Sequence, residues 1–159
     1  MPRETPVREV MTSDVLTLRS EMPLEEAVGL LAERGVSGAP VVDERGHLVG
    51  LLDDTDILTS TSRLHAPTTI ELLGAYIRLP GETRRYTEEL RHQLARTVGE
   101  LMETKYPALG VDATVEDAAT ALVESRLSRV LVVGEDGELR GIVTRGDLVG
   151  ALRAPTDEP

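Results

Sequence analysis

The sequence predicts an α/β (α+β) fold made of two copies of one β-α-β-β-α unit, packed about a pseudo-two-fold axis with a partly helical insert between them. Three observations carry this expectation. First, the chain matches itself without a gap when it is shifted so that Val7 falls on Val98. Glu9, Met11 and Leu18 then fall on Glu100, Met102 and Leu109, Glu25, Ala27, Leu31 and Glu33 on Glu116, Ala118, Leu122 and Glu124, and Ser37, Val41, Val42 and Glu44 on Ser128, Val132, Val133 and Glu135. The run ends with Gly46, Leu48, Gly50 and Asp56 on Gly137, Leu139, Gly141 and Asp147. Self-similarity over this length marks a repeated structural unit. Second, hydrophobic residues make up 40% of the chain but aromatics only 2%, with no Trp or Phe. The core is therefore aliphatic, which suits layered helices and sheet. Third, the apolar period switches from helical spacing to short continuous runs in the same order in both copies.

Each element follows from local chemistry. An apolar run near Val15–Leu18 reads as the first strand. Pro23 and the acids Glu25 and Glu26 suit a helix start. Leu24, Ala27, Val28 and Leu31 recur at helical spacing, and Gly35 ends that helix. Pro40-Val41-Val42 is a buried-type strand, Glu44-Arg45-Gly46-His47 a turn, Leu48–Leu52 the return strand, and a second helix opens near Asp53. The second copy repeats this order as helix 114–125, strand 130–133, the Asp136-Gly137 turn, strand 139–143 and helix 144–152. A unit this small cannot cover its own sheet, so two must pair.

The division expected is a first repeat over 1–60, an insert over 61–96 and a second repeat over 97–159. The insert is rich in Arg (Arg63, Arg78, Arg84, Arg85, Arg91, Arg96), which reads as a solvated face, with Arg84 or Arg85 reaching a bound phosphate as the lesser alternative. A short helix is expected over 67–73. A longer one runs from Thr83, with Tyr86, Leu90, Leu94 and Val98 as its apolar stripe, bracing the module or meeting a second chain.

Composition excludes several function classes. The chain lacks Cys, which removes disulfides, thiolate metal sites and cysteine nucleophiles. A net charge of −11 argues against a nucleic-acid partner. No long apolar run or signal-like segment is present, so no membrane partner and a cytoplasmic location are expected. His47, His65 and His92 have no triad or metal-ligand spacing, and no P-loop or GxGxxG occurs, so an enzyme is not expected.

The runs Gly35-Val36-Ser37-Gly38-Ala39-Pro40-Val41-Val42-Asp43 and Gly141-Ile142-Val143-Thr144-Arg145-Gly146-Asp147-Leu148 resemble the CBS (cystathionine β-synthase) domain family. The resemblance covers roughly residues 5–60 and 96–153. It implies a Bateman module, two repeats in a disc, sensing an adenine nucleotide (AMP, ADP or ATP, with Mg²⁺ possible beside ATP) as a regulatory ligand without a required cofactor. It also implies a homodimer and an unidentified protein effector. The competing reading is a dimerisation or interaction scaffold whose nucleotide site is degenerate.

The site chemistry follows from the strand-to-helix junction at Thr144. Free N–H groups and the positive end of the helix dipole make such a junction an anion site. There Thr144 can donate to a phosphate oxygen, Asp147 can accept from ribose hydroxyls, and Arg145 adds charge. In the resemblance, Thr144 and Asp147 hold phosphate and ribose, and Arg129 lies towards the phosphates. The partner wall is Leu16, Thr17, Val36, Ser37, Gly38 and Ala39, with Val36 and Ile142 on either side of the base. Each residue also has a plainer role: Thr144-x-x-Asp147 is a capping box, Val36, Pro40 and Ile142 are core, and Arg129 is a surface ion pair. The repeat-related second site is weaker. It keeps Asp56 and Ser128, but Asp53 and Asp54 replace Thr144 and Arg145 and repel phosphate. It is expected to be empty, or to hold a nucleoside or metal-bridged ligand; helix capping is the leading role of Asp53, with Mg²⁺ binding by Asp53, Asp54 and Asp56 the lesser alternative.

Overall fold

A computed structural model of the chain describes residues 2–62 and 96–153. The short helix expected over 67–73, the longer one expected from Thr83 and the insert residues Arg63, Arg78, Arg84, Arg85 and Arg91 lie outside the described residues. In chain order, after a 3₁₀ turn at Pro2–Glu4, the elements are α1 (Val7–Val10), α2 (Leu24–Arg34), β1 (Ala39–Val42), β2 (Leu48–Leu52) and α3 (Asp54–Ser62). They continue as α4 (Val98–Leu101), β3 (Ala108–Gly110), α5 (Val115–Ser125), β4 (Arg129–Val133), β5 (Leu139–Thr144) and α6 (Arg145–Arg153).

The repeat seen in sequence is a repeat in backbone detail. Both hairpins, β1–β2 and β4–β5, are antiparallel and carry a register shift at the same place, between Val41 and Val42 and between Val132 and Val133. Gly46 and Gly137 turn with φ of 80° and 79°. The repeat-related helices α2 and α5 each end on a left-handed residue, Gly35 at φ 65° and Arg126 at φ 59°. At Gly35 this lets the Val36 N–H reach the Leu31 carbonyl at 3.0 Å, closing the helix end. The α5 start is held by a capping box in which Thr114 accepts from the Asp117 N–H and Asp117 accepts from the Thr114 N–H.

One expected strand is reduced. β3 pairs in parallel with β4 over three residues, but the repeat-related Val15–Leu18 segment makes only a bridge between Leu18 and Val41. Pro40 explains the difference. In the second copy the Leu131 N–H donates to the Pro107 carbonyl at 3.0 Å. Pro40 occupies the matching place and has no N–H to give the Leu16 carbonyl.

The core is intertwined. The arm containing α1 does not pack in its own copy: Val7, with Val10 and Met11, sits among Val115, Ala118, Leu122, Val130 and Val143. The repeat-related arm places Val98, with Leu101 and Met102, among Leu18, Leu24, Leu31 and Leu52. Thus Val98 opens its own short helix after an extended Thr97, and does not continue the apolar stripe expected of the insert. The exchanged arms are pinned by paired backbone bonds. Val7 N–H reaches Ala113 O at 2.7 Å and Val98 N–H reaches Met22 O at 2.9 Å. Thr12 bridges Ile142, and Glu103 bridges Leu51. Gly141 and Gly50 make room for these arms, because an added Cβ would lie 2.5 Å from the sulfur of Met11 or Met102, respectively. A third cluster of Leu51, Leu127, Leu131 and Ile142 fills the space between the copies. Burying each such side chain contributes about 1.5–3 kcal/mol, so the exchange makes each repeat depend on the other.

Candidate ligand site

Two clefts flank the pseudo-two-fold axis. The axis is located by two contacts between repeat-related residues: His47 bridges Glu138, and the Arg129 guanidinium donates to the Gly38 carbonyl at 2.9 Å. The repeat relation sets the start of α6 towards the segment before β1, and the start of α3 meets the segment before β4 through Asp53 and Asp54.

In the first, here the Thr144 cleft, β5 ends at Thr144 and α6 begins at Arg145. The Thr144 N–H donates to Asp147 Oδ2 at 2.8 Å, and the Asp147 N–H donates to Thr144 Oγ at 3.3 Å. The capping box is therefore formed. It uses one carboxylate oxygen and leaves the Thr144 hydroxyl proton and Asp147 Oδ1 to other partners. Arg145 is exposed and bends back so that Nη2 reaches the Leu127 carbonyl at 3.3 Å. In the segment leading into β1, Val36 is 44% exposed, whereas Gly38 and Ala39 are buried. Ile142 is buried in the Leu51–Leu127–Leu131 cluster, and Leu16 is half-buried against the Leu18–Leu24 cluster.

A cavity of about 290 Å³ opens on the hairpin side of the same module, lined by Ser13, Val15, Thr17, Val42, Leu139 and Arg140 among others. Thr17 is the one expected contact residue that lines it. Ser13, Val15 and Arg140 were not anticipated. The signal for the first two was available, since alternation along an extended segment puts Ser13, Val15 and Thr17 on one face.

The second, here the Asp53 cleft, differs at each matching position. Asp53 is fully buried and receives Arg129 Nε at 2.8 Å, the Ser128 N–H at 3.2 Å and the Thr55 hydroxyl at 2.9 Å. Arg129 is 4% exposed and also donates to Ser37 Oγ at 2.8 Å. The structure thus does not send Arg129 towards solvent-facing phosphates, nor into a surface ion pair. Its charge meets the Asp53 carboxylate in the interior, across the two repeats. Asp53 likewise does not cap α3 with its side chain. Its own N–H donates to Asp56 Oδ2 at 3.0 Å, and its carboxylate reaches the other copy. Ser128 donates its hydroxyl to Asp54 at 2.7 Å.

The carboxylates of this cleft titrate unequally. Burial works against the charge on Asp54, yet the Ser128 hydroxyl, the Arg129 charge and contacts with Asp53 and Thr55 hold its carboxyl below the usual range. Asp56 moves the other way, to about 7, first through burial, then through a hydrogen bond with Glu103 and the charges of Glu103 and Asp53, while the Asp53 N–H opposes the shift. Asp53, Asp54, Asp56 and Glu103 against one Arg make this cleft anionic. The Thr144 cleft places Arg145 and a helix start opposite Asp147 alone. The start of α6 is therefore the less anionic of the two.

The described residues contain no helix long and apolar enough to cross a membrane. The CBS domain model matches residues 7–62 and 98–154. Among curated relatives, an archaeal protein from Methanocaldococcus jannaschii is 29% identical over 152 residues, covering 92% of this chain and 90% of its own. CBSX1, a chloroplastic CBS domain-containing protein of Arabidopsis thaliana, is 33% identical over 148 residues, and the match spans 91% of this chain but 63% of CBSX1. Among solved structures, CBSX2 in complex with AMP superposes with a TM-score of 0.67 at 27% identity, covering 93% of this chain and 96% of that one. The CBS domain of a membrane protein from Sphaerobacter thermophilus superposes at 0.69 with 28% identity, covering 94% and 88%.

Proposed function

The chain belongs to the CBS domain family, and from that premise we propose that it is a non-catalytic regulatory module that senses an adenine nucleotide in the Thr144 cleft. The observation that carries this reading is the start of α6, where a single carboxylate, Asp147, caps through Oδ2 beside the exposed Arg145 and leaves its Oδ1 and the Thr144 hydroxyl proton available. A phosphate meets the helix start and the Thr144 hydroxyl, with Arg145 in reach by rotation from the Leu127 carbonyl. Asp147 Oδ1 accepts from the ribose hydroxyls. The Leu16 carbonyl, to which Pro40 can give no N–H, suits the exocyclic amine of adenine and disfavours the carbonyl that guanine presents there. AMP bound to CBSX2, 27% identical to this chain, supports the ligand class. ADP, or ATP with Mg²⁺, shares the adenosine contacts.

Binding in the cleft would draw the repeats together and shift an output read by an effector protein. A homodimer fits the exposed apolar residues of α3 and α6: Leu58 and its repeat mate Val149 are 65% and 58% exposed, and Leu152 is 55% exposed.

A thermal-shift screen against AMP, ADP, ATP, GTP and S-adenosylmethionine, each with and without Mg²⁺, tests the reading. A ligand at 100 times its Kd stabilises the fold by about 2.7 kcal/mol, a shift of several degrees. Adenine compounds should give it, GTP should not, and Asp147→Ala should abolish it. A cooperative melt unmoved by every compound refutes sensing and favours the scaffold.

A further inference from the structure

We propose that Arg129 is an internal plug and positioning residue: it closes the Asp53 cleft with the chain's own charge and braces the wall of the Thr144 cleft, so that the module takes one adenosine ligand per chain. The ligand-counting half of this inference rests on the function proposed above.

The argument is one of broken symmetry. The repeat relation sets Gly38 against Arg129 and Thr144 against Asp53. Where the Thr144 cleft has a glycine over a hydroxyl, the Asp53 cleft has a guanidinium over a carboxylate. The pair is buried on both sides, Arg129 at 4% and Asp53 at 0% exposure, and Nε meets Oδ1 at 2.8 Å. Groups a ligand would need are already engaged. The Ser128 N–H is held by Asp53 and the Ser128 hydroxyl by Asp54. Apolar filling completes the closure. Leu127 is 9% exposed where its repeat mate Val36 is 44% exposed, and of the repeat mates Tyr106 and Val15, which both pack on the Leu51–Leu127 cluster, Tyr106 is the larger. The residues nearest this helix start, Asp54 and Asp56, together with Glu103, add only negative charge.

The same guanidinium reaches the opposite wall. It donates to Gly38 O at 2.9 Å and Ser37 Oγ at 2.8 Å, which fixes the backbone before β1. Gly38 is fitted to it: a Cβ there would lie 2.8 Å from the Arg129 Cζ and 2.6 Å from the Leu52 carbonyl oxygen. The large residue on one side of the axis and the absent side chain on the other are complementary halves of one contact. Arg129 therefore closes one cleft and orders the other.

Calorimetric titration of the full chain with AMP reads the outcome. Wild type should bind one AMP per chain, and two would overturn the proposal. Exchanging the pair for its repeat mates, Asp53→Thr with Arg129→Gly, should admit a second AMP. It should also weaken binding in the Thr144 cleft by roughly tenfold, as expected when a buried charged hydrogen bond to the wall is lost. A folded exchange variant that still binds one AMP at wild-type affinity would overturn it. A ligand-free measurement separates this inference from the functional reading. The Arg129 Nε–H should exchange with solvent at least about tenfold more slowly than that of exposed Arg145, as a closed local structure requires. Equal rates would refute the plug whether or not AMP binds. Slow exchange in a protein that ignores AMP would refute only the sensing function.

Discussion

Replacing Asp53 with Ala leaves the Arg129 guanidinium in the interior without its counter-charge. The Gly38 carbonyl and Ser37 hydroxyl would still accept from it, but both are neutral. Removing one member of a buried ion pair costs about 3–5 kcal/mol, much of it the penalty of the stranded charge. Against a total stability on the order of 5–15 kcal/mol this is a large fraction. For a chain of this size each kcal/mol moves Tm by about 2–4 °C, so Asp53→Ala should melt roughly 6–20 °C lower. The second limb of the argument is recovery. Asp53→Ala with Arg129→Met removes both charges and should regain most of the loss, because an apolar replacement of a buried pair is commonly neutral. Thermal melts of the four proteins form a double-mutant cycle in which the sign of the coupling is diagnostic. Screening should hardly matter, so the loss should persist in high salt. A single variant within about 1 kcal/mol of wild type, the range of an exposed pair, would mean that water reaches Asp53 and that the cleft is not closed.

Three further outcomes follow from other contacts. Asp56 titrates near 7 in the fold against 3.8 in the unfolded chain, so the folded state holds the extra proton between these values, and stability should fall as pH rises from about 4 to 7; pH-dependent melts of Asp56→Asn should lose that slope, and an unchanged slope would place the proton elsewhere. Arg126→Gly should stabilise the fold by about 0.5–1 kcal/mol, since Arg126 holds φ 59° where its repeat mate is Gly35; denaturant titration showing a loss would reveal a role for the Arg126 side chain. Gly38→Ala forces a Cβ to 2.6 Å from the Leu52 carbonyl oxygen, which should cost about 1–3 kcal/mol and disturb the Thr144 cleft; a variant with wild-type melting would show that the hairpin can shift aside.

Much of the architecture was written locally. Gly35, Gly46 and Gly137 take the left-handed conformations their turns need, and Thr114 and Thr144 cap helices through acids three residues on. Each of these decisions involves groups a few residues apart, so spacing alone reveals it, and the ungapped repeat doubled every signal. Pro40 carried a readable message that was missed: a strand residue without an N–H cannot complete the ladder to Leu16.

The charged pair at the centre lay beyond such reasoning. Read locally, Asp53 is a helix-start acid and Arg129 a polar residue entering a strand. Only the tertiary structure brings their side chains to 2.8 Å across the two repeats, and only it exchanges the arms so that Val7 completes the core of the second copy and Val98 that of the first. The repeat, its two hairpins and the capped helix starts at Thr114 and Thr144 were legible along the chain, because they depend on neighbours in sequence. The pairing of Asp53 with Arg129 was decided in three dimensions, because the axis juxtaposes Gly38 with Arg129 and leaves no room for a side chain at Gly38.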